Sequence, residues 1–321
     1  MMLVCLVAGC DMLGLKYSLD DISVVYTDNV QSYDEHSAFL IGYVQGDADH
    51  SGVSTGFILG KEKDLRDGKE QVGTLDEDNW LIMKVSGLDE ATVYYARMFV
   101  KYDDKDPDTE DYKYGALISF KTLTFKSAEA VDMGLPSGTE WSSVNVGAEN
   151  PEDYGGCYSW AETEPKSIAI PTTYKWSKNG QLTKYCNDSS KGYNQLSDGK
   201  TEMDPEDDAA QRWMGGNWRV PTAKQMEELM SSSNCKWEIK SRNGVQGILI
   251  TSLANGNTLF FPIMGGLDRP VWYPQGYYTA SLNPSAVEIA YGITATTGDG
   301  RAAIPCGYDR WNRMLLRPVT Q

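Results

Sequence analysis

The sequence predicts two domains of different class: an all-β sandwich over residues 19–124 and a loop-rich α+β domain over residues 125–321, behind a short signal and tether at residues 1–18. Short apolar runs separated by turn signals fill the first third of the chain. Glycine, tryptophan and loop-forming residues dominate the remainder, which holds the one clear helical pattern. A length of 321 residues also favours two domains over one.

The first ten residues are typical of a bacterial lipoprotein signal. An apolar run closes with Ala8, Gly9 and Cys10, and small residues before a cysteine let a signal peptidase reach the backbone. Cys10 is therefore the predicted lipidation site, which anchors the protein to outer-membrane lipid. We expect the domains to be exposed on the cell surface, and an anchor that faces the periplasm is the alternative. Because a basic segment ordinarily opens such a signal and the first lysine is Lys16, we expect the true start upstream; the alternative is a buried strand over residues 3–15.

Apolar runs that end at turn signals predict the strands of the first domain. The predicted strands are Ser37–Val44, Ser54–Leu59, Trp80–Val85, Val93–Tyr102 and Leu117–Thr122. Short strands with regular turns are typical of a sandwich of two antiparallel sheets.

The last strands of this domain carry a recognisable pattern. Val85-Ser-Gly-Leu88 is followed by Thr92-Val-Tyr-Tyr-Ala-Arg97, and then by Tyr114-Gly115 and Ser119-Phe-Lys-Thr122. The pattern resembles a fibronectin type III-like or Ig-like domain. In that family a leucine before the penultimate strand and a tyrosine opening it form a corner that locks the two sheets, and Leu88 and Tyr94 occupy the matching places.

Two helices are predicted in the second domain. A proline precedes the clearer pattern, which runs from Thr222 to Met230. Thr222 is a suitable N-cap, and Met226, Leu229 and Met230 fall on one face. A second short helix is predicted over Pro205–Trp213, where acidic residues match the positive end of the helix dipole.

Seven motifs in the second half form a specific pattern. They are Ala130-Val-Asp-Met-Gly-Leu-Pro-Ser-Gly-Thr-Glu-Trp141, Asn145-Val-Gly-Ala148, Pro151-Glu-Asp-Tyr-Gly155, Tyr158-Ser-Trp-Ala-Glu-Thr163, Asp207-Asp-Ala-Ala210, Gly216-Asn-Trp-Arg-Val-Pro-Thr222 and Leu316-Arg-Pro-Val319. Together they resemble the Fibrobacter major paralogous domain, a module of Bacteroidetes-type surface lipoproteins. The chain departs from it at Ala161, where a glycine is common, and at Arg219-Val220, where Arg-Met is commoner.

This resemblance implies a fold and one structural role. The family is similar to C-type lectin-like folds and to the formylglycine-generating, sulfatase-modifying fold. It implies a compact α+β domain with two helices, a small twisted sheet and little other regular structure. It also implies that Arg317 is a buried structural arginine, paired with backbone or with an acid.

The composition excludes several classes of partner. The net charge of −16 argues against binding to nucleic acid, whose phosphates it repels, and against adsorption to anionic lipid. Apart from the signal, we find no apolar run near the ~20 residues that a membrane-spanning helix needs.

The sequence predicts no enzyme. Gly52-Val-Ser-Thr-Gly56 matches the G-x-S-x-G elbow of serine hydrolases, but a strand follows it and both histidines precede the serine. Sulfatase-modifying chemistry needs a reactive cysteine pair beside a metal, and the contexts of Cys157 and Cys306 do not resemble that catalytic segment. An enzyme related to the sulfatase-modifying folds is therefore the least favoured class.

Cysteines and acidic loops leave two questions open. With the signal cysteines set aside, an even number remains, which is typical of disulfides in an oxidising compartment: Cys157, Cys186, Cys235 and Cys306. Their pairing stays open, and no zinc site is predicted because both histidines lie in the other half of the chain. No cofactor is predicted, although calcium stays open at three acidic loops: Asp47–Gly52, Asp103–Asp106 and Asp204–Asp208.

Aromatic side chains near carboxylates or amides are candidate sugar platforms. The candidate ligand-binding residues are Trp272, Tyr273, Tyr277, Tyr278 and Trp311. The first two stand between prolines, which favours an exposed loop, and Trp311 lies in a segment similar to the Trp-Asn-Asp calcium tripeptide of lectins, with Arg313 in place of the acid. Core packing is the prediction for Trp141, Trp160 and Trp218.

These features predict a lipid-anchored adhesin or binding protein of the cell envelope. In this interpretation the sandwich is a spacer and the lectin-like domain binds a glycan or a surface protein. The alternative is a fimbrial tip or accessory structural subunit, in which assembly matters more than a ligand.

Overall fold

The computed structural model describes residues 22–27, 31–32, 34–46, 53–102, 112–125, 128–166, 170–263, 276–295 and 302–321. Within these ranges the chain is mostly β-structure, arranged in several antiparallel sheets with two short α-helices. It divides into two compact units: the first comprises Met1–Val30, Leu40–Lys84 and Val93–Phe120, and the second comprises Gln31–Phe39, Val85–Thr92 and Lys121–Gln321. None of the helices in the described part of the chain has the length and apolar character that crossing a bilayer requires.

One sheet is organised around a central strand, β3. The strands are β1 (Ile22–Thr27), β2 (Gln31–Ser32), β3 (Ser37–Gly46) and β6 (Trp80–Ser86), and the first two pair antiparallel with β3 while β6 also pairs with it. Along β6 the side chains alternate, with Leu81 and Val85 buried and Trp80 and Ile82 exposed. This period of two places one face of the sheet toward the core.

A second sheet has the order β5-β4-β7-β8, and β9 also pairs with β7. Its strands are β4 (Val53–Gly60), β5 (Lys69–Gly73), β7 (Val93–Tyr102), β8 (Tyr112–Tyr114) and β9 (Ile118–Lys121). The five strands predicted from the sequence are therefore present as β3, β4, β6, β7 and β9. β5 was not predicted, because it lies at the edge of the sheet and has no run of buried apolar residues. Its sequence is Lys-Glu-Gln-Val-Gly.

The inner faces of these two sheets approach closely at Gly42. A methyl group built on Gly42 of β3 meets the Sδ atom of Met98 on β7 and comes within 3.1 Å of the Phe57 ring on β4. Met98 and Phe57 are themselves fully buried. Glycine is required at this position by space, because no side chain fits between the facing strands.

The second unit is built from small antiparallel sheets joined by loops. One sheet joins β10 (Ala130–Asp132), β11 (Glu140–Ser142) and the C-terminal β20 (Val319–Thr320), and a short ribbon joins β12 (Ser177–Lys178) to β13 (Gln181–Leu182). Two three-stranded meanders follow: β14 (Cys235–Arg242), β15 (Val245–Ser252) and β16 (Thr258–Pro262), then β17 (Gly276–Leu282), β18 (Ile289–Ala295) and β19 (Ala302–Asp309).

Capping residues define both α-helices of this unit. α2 (Ala223–Met230) begins at Thr222, which forms a capping box with Gln225, and it buries Met226 and Leu229 as predicted. The helix predicted over Pro205–Trp213 is divided into a 3-10 turn at Pro205–Asp207 and α1 (Ala209–Met214). The division falls at Asp208, which leaves the helical conformation to accept the N–H groups of Ala210 and Gln211.

Aromatic side chains fill the core of the second unit. Trp141, Trp160 and Trp218 are buried, which confirms their predicted place in the core. Trp141 packs on Phe261, and Trp160 makes an edge contact with Tyr185.

Arg317 is fully buried and ties three segments of this unit together. Its Nε atom donates to Asn145 Oδ1 at 2.8 Å, and its terminal nitrogens donate to the carbonyl oxygens of Ser142, Ser143 and Phe260 at 2.8 to 3.1 Å. Burial lowers the pKa of Arg317 to about 10, so the guanidinium is still protonated at neutral pH. The prediction of a buried arginine paired with backbone is confirmed.

The contact at Gly42 yields a stability prediction. Gly42→Ala forces a methyl group against Met98, so we expect a loss of about 1–3 kcal/mol in the free energy of opening of the first unit. Hydrogen exchange of the amides of β3 and β7 measures this loss. Val72→Ala, at a side chain that is 62% exposed, is the control and changes the same value by less than about 0.5 kcal/mol. Equal protection in the two variants contradicts the close packing.

Candidate functional site

Trp311 lies in a turn directly after β19. The N–H of Asn312 donates to the carbonyl oxygen of Asp309 at 3.0 Å and closes the turn. The indole of Trp311 is half-buried and packs against a small apolar cluster formed by Tyr174, Leu182, Cys186 and Val287. One part of the ring is therefore fixed by packing while another part faces solvent.

Side-chain hydroxyl groups of buried residues form hydrogen bonds with the backbone of this turn. The hydroxyl of Tyr278 donates to the carbonyl oxygen of Asp309 at 2.5 Å and lies 3.0 Å from that of Asn312. Ser159 Oγ donates to the carbonyl oxygen of Trp311 at 2.9 Å. Because the carbonyl groups of Asp309, Trp311 and Asn312 are all hydrogen-bonded, this turn is already ordered. It therefore loses little conformational entropy when a ligand binds.

Arg310, the residue before Trp311, is the main anchor of the turn. It is fully buried, its Nε donates to the hydroxyl of Tyr174 at 3.0 Å, and its terminal nitrogens donate to three carbonyl oxygens: Tyr185 at 2.8 Å, Val287 at 3.2 Å and Lys184 at 3.2 Å. The guanidinium carbon also lies 5.0 Å from the ring centre of Trp160. A cation in this position is compensated by carbonyl dipoles and aromatic faces.

A network of charged side chains lies next to Arg310 in the structure. Its members are Lys184, Tyr185, Asp204 and Asp207. Lys184 Nζ lies 2.7 Å from both Asp204 and Asp207, and the hydroxyl of Tyr185 donates to Asp207 at 2.6 Å. Burial disfavours the charged form of Lys184, yet its hydrogen bonds to the two acids outweigh burial and raise its pKa. Burial alone would raise the pKa of Asp207, but the hydrogen bonds from Lys184 and Tyr185 outweigh it and lower that pKa. Both groups are therefore charged at neutral pH and neutralise each other.

Two carboxylates flank the turn that carries Trp311. Burial raises the pKa of Asp309, and the charge of Glu288 raises it further. Glu288 forms an ion pair with Lys191 at 2.7 Å, and the hydrogen bond from Lys191 lowers the pKa of Glu288. A half-exposed indole beside hydrogen-bond acceptors is suited to stacking on the C–H face of a sugar while its hydroxyl groups are bonded at the edge.

Tyr277 and Tyr278 are corrected from candidate ligand-binding residues to core residues. Their side chains are 3% and 0% exposed, so neither ring offers a face to a sugar. The hydroxyl of Tyr277 donates to the carbonyl oxygen of Pro262 at 2.8 Å, and that of Tyr278 holds the Trp311 turn. The reason is that both rings belong to β17, which is buried along its whole length.

Several predicted features lie outside the described residues. They are the lipidation site Cys10, the candidate platform residues Trp272 and Tyr273, and the acidic loops Asp47–Gly52 and Asp103–Asp106. The third acidic loop, Asp204–Asp208, lies within the described residues. Asp204 and Asp207 bind lysine ammonium groups, and Asp208 caps α1.

The described cysteines show no reactive character. Cys186 and Cys235 carry free, buried thiols, so neither forms the disulfide expected of an extracytoplasmic protein. Burial raises the pKa of Cys235 to about 11, and Cys186 donates to the carbonyl oxygen of Asp188. Among the residues that the structure describes, no three His, Cys, Asp or Glu side chains are grouped as metal ligands.

The role of Arg310 was not predicted from the sequence. Its sequence context, Asp309-Arg310-Trp311, drew attention to the tryptophan, and nothing local indicates that the arginine is buried. In a loop-rich domain many buried carbonyl groups need hydrogen-bond donors. An arginine directly before an aromatic residue was therefore the available sign of a buried donor.

Comparisons with known proteins yield no family for this chain. No protein-family model matches it, and no curated protein is similar to it. Among solved structures, it is similar to the sensor domain of the anti-sigma factor RsgI4 of Pseudobacteroides cellulosolvens, at 17% identity and a TM-score of 0.26, over 33% of this chain and 99% of that one. The solution structure of that sensor domain gives 18% identity and a TM-score of 0.25, over 32% of this chain and 75% of that one. Likenesses this weak carry no conclusion about fold or function.

Replacement of the buried guanidinium yields the second prediction. Arg310→Met leaves three carbonyl groups and one hydroxyl without their donor, so we expect the second unit to lose about 3 kcal/mol or more of stability. Arg310→Lys recovers only part of this loss, because one ammonium cannot reach the groups that the planar fork bonds. Urea denaturation followed by tryptophan fluorescence measures both variants. Wild-type stability in Arg310→Met contradicts the anchoring role.

The charge network predicts a specific pH dependence. Because the folded-state pKa of Asp207 is lowered, its ionised form stabilises the fold above about pH 4, and this contribution is lost as the pH falls through the folded-state value. We expect Asp207→Asn to cost about 2 kcal/mol at pH 7 and progressively less below pH 4. Unfolding midpoints in urea at pH 7, 4 and 3 test this, with Glu227→Gln, an exposed acid on α2, as the control. A deficit in Asp207→Asn that is constant with pH is the contrary result.

Proposed function

We propose that this protein is a lipid-anchored cell-envelope protein that binds a glycan or a surface protein through its second unit, without catalysing a reaction. Acylation of Cys10 provides the anchor to the outer membrane. The observation that carries the proposal is Trp311, a half-buried indole in a turn whose backbone is bonded by Tyr278 and Ser159, and which follows the buried Arg310.

The fixed position of Trp311 is what a binding site requires. A side chain that is already ordered gives up less entropy on association, so more of its contact energy appears as affinity. Asp309 lies two residues before Trp311 in the chain, and its carboxylate is an acceptor for hydroxyl groups of a ligand. A sugar or the polar edge of a protein surface matches this combination.

The state of the ionisable groups supports binding over catalysis. A general acid or base works best with a pKa near the operating pH. Lys184 and Asp207 are instead driven toward their charged forms by each other, and the pKa of Tyr185 is raised by burial and by its hydrogen bond to Asp207. The most tightly coupled charges near the site thus have a structural role.

In the proposed architecture the first unit forms a fibronectin type III-like sandwich and the second a C-type lectin-like domain. The pairing of β1, β2 and β6 with β3 and the strand order β5-β4-β7-β8 support the former, as does the burial of Tyr94, which matches the tyrosine of the corner in that family. Two helices, small sheets and the buried Arg317 support the latter.

Substitution of Trp311 tests the proposed function. The wild-type full chain is screened against an array of glycans and of purified surface proteins, and the affinity of each positive ligand is then measured by calorimetry. Trp311→Ala removes the stacking face, so we expect at least about tenfold weaker binding, with partial recovery in Trp311→Phe.

Tyr193→Ala is the matched control, because Tyr193 is another half-buried ring of the second unit. Its affinity should equal that of the wild type. Equal losses in Trp311→Ala and Tyr193→Ala contradict the site. Silence on every glycan and protein, together with polymer formation by the purified chain, overturns the proposal in favour of a structural subunit.

A further inference from the structure

Three asparagine residues of the second unit are each followed by a glycine. The pairs are Asn179-Gly180, Asn243-Gly244 and Asn255-Gly256, and all six residues are exposed. Each pair lies between two consecutive strands. Because the motif and the exposure are the same in all three, the sequence does not distinguish them, and a difference in their chemistry has to come from the fold.

An asparagine in such a pair is open to a spontaneous modification of the main chain. The backbone nitrogen of the glycine attacks the side-chain amide carbon, the new C–N bond closes a succinimide ring, and the amide nitrogen leaves as ammonia with the proton of the glycine N–H. Water then adds to either carbonyl group of the ring and opens it to aspartate or isoaspartate. Glycine favours the reaction because it has no side chain that blocks the approach.

The fold controls the first step of this reaction. Ring closure needs a side-chain amide that is free to rotate and a backbone that can leave its turn conformation. Hydrogen bonds to the amide oppose the first requirement, and a stable ladder beside the turn opposes the second. Because the free energy of local opening ranges from near zero to that of global unfolding, exposed sites of equal sequence differ widely in rate.

Asn255 is held at both reacting groups. Its Oδ1 atom accepts the N–H of Asn257 at 3.0 Å, and its Nδ2 atom donates to the carbonyl oxygen of Asp132 at 2.9 Å. The N–H of Gly256, which would have to attack, donates to the carbonyl oxygen of Ser252 at 3.1 Å. The amide carbon and the attacking nitrogen are therefore both fixed by hydrogen bonds to other groups.

Asn243 is held by its side chain and by a long ladder. Its Nδ2 atom donates to Glu152 Oε1, and Glu152 also forms an ion pair with the preceding Arg242 at 3.0 Å. The turn closes the hairpin of β14 and β15, in which eight residue pairs are in register. Opening this turn therefore disrupts a carboxylate contact and the end of an extended ladder.

Asn179 lacks both kinds of restraint. Its side-chain amide forms no hydrogen bond with any residue that the structure describes. The φ angles of Asn179 and Gly180, 52° and 76°, are those of a two-residue type I′ turn between β12 and β13. That ribbon has two residue pairs, and within the described ranges no third strand pairs with it. A two-stranded ribbon this short opens at little cost.

We propose that Asn179 is a modification site, at which the folded protein converts asparagine to aspartate and isoaspartate while Asn243 and Asn255 are preserved. The reaction consumes one water and releases one ammonia, and it requires no enzyme. Each conversion adds one negative charge. Isoaspartate also passes the main chain through the side-chain carbon, which lengthens a connection that is closed by only two residues.

The position of this site makes the modification consequential for the second unit. Leu182 of β13 lies three residues after Asn179 and is buried in the small apolar cluster against which Trp311 packs. The N–H of Leu182 donates to the carbonyl oxygen of Lys191 at 2.9 Å. Fresh and modified chains therefore differ next to the cluster that contacts Trp311.

The test follows deamidation in the folded full chain during incubation in mildly alkaline buffer. Mass spectrometry of peptides detects the gain of about 1 Da, and fragmentation assigns it to one asparagine and separates isoaspartate from aspartate. We expect Asn179 to react at least about tenfold faster than Asn243 and Asn255. The proposal is overturned if either of these reacts as fast as Asn179, or if none of the three reacts.

Two controls show whether the fold causes the ranking. In guanidinium chloride, where the chain is unfolded, the three rates should converge, and an unchanged tenfold ranking there overturns the proposal. Glu152→Ala removes the acceptor of the Asn243 amide, so it should raise the rate at Asn243 and leave the rate at Asn179 unchanged. An unchanged rate at Asn243 in this variant, with circular dichroism that confirms its fold, contradicts the protection on which the ranking depends.

Discussion

The second unit depends on two buried guanidinium groups. Its sheets are small and its loops are long, so many backbone carbonyl groups lie in the interior without a strand or helix partner. Arg310 and Arg317 supply the missing donors: each is fully buried, and each bonds at least three carbonyl oxygens from segments far apart in sequence. The charge of each is costly to bury, but the fixed fork of an arginine bonds several acceptors at once and offsets that cost.

This constraint links stability to the turn that carries Trp311, where we propose that a ligand binds. The guanidinium of Arg310 is placed by Tyr174 and by carbonyl groups of the charge network, and the next residue along the chain is Trp311. The same bonds that satisfy the interior therefore orient the exposed indole. In the first unit β-ladders pair the backbone of the described strands instead.

Local sequence patterns were sufficient for β3, β4, β6, β7, β9 and α2. β7 and α2 follow the periods of two and 3.6, and Thr222, the predicted N-cap, begins α2. Patterns failed where a neighbour overrides them. The helix predicted over Pro205–Trp213 is interrupted because Asp208 bonds the first N–H groups of α1 and also the N–H of Val220, a residue distant in sequence.

The sequence alone determined that the chain is rich in β-structure, the bounds of five strands and of α2 to within a few residues, and the buried Arg317, because these depend on residue spacing and on motifs. Only the tertiary structure decided which aromatic rings are exposed. Tyr277 and Tyr278 are covered because other segments pack on both faces of β17, whereas Tyr26 and Trp80 are open because no described segment covers that face of their sheet. Burial on a second face is set by elements far away in the chain, and a local pattern holds no record of them.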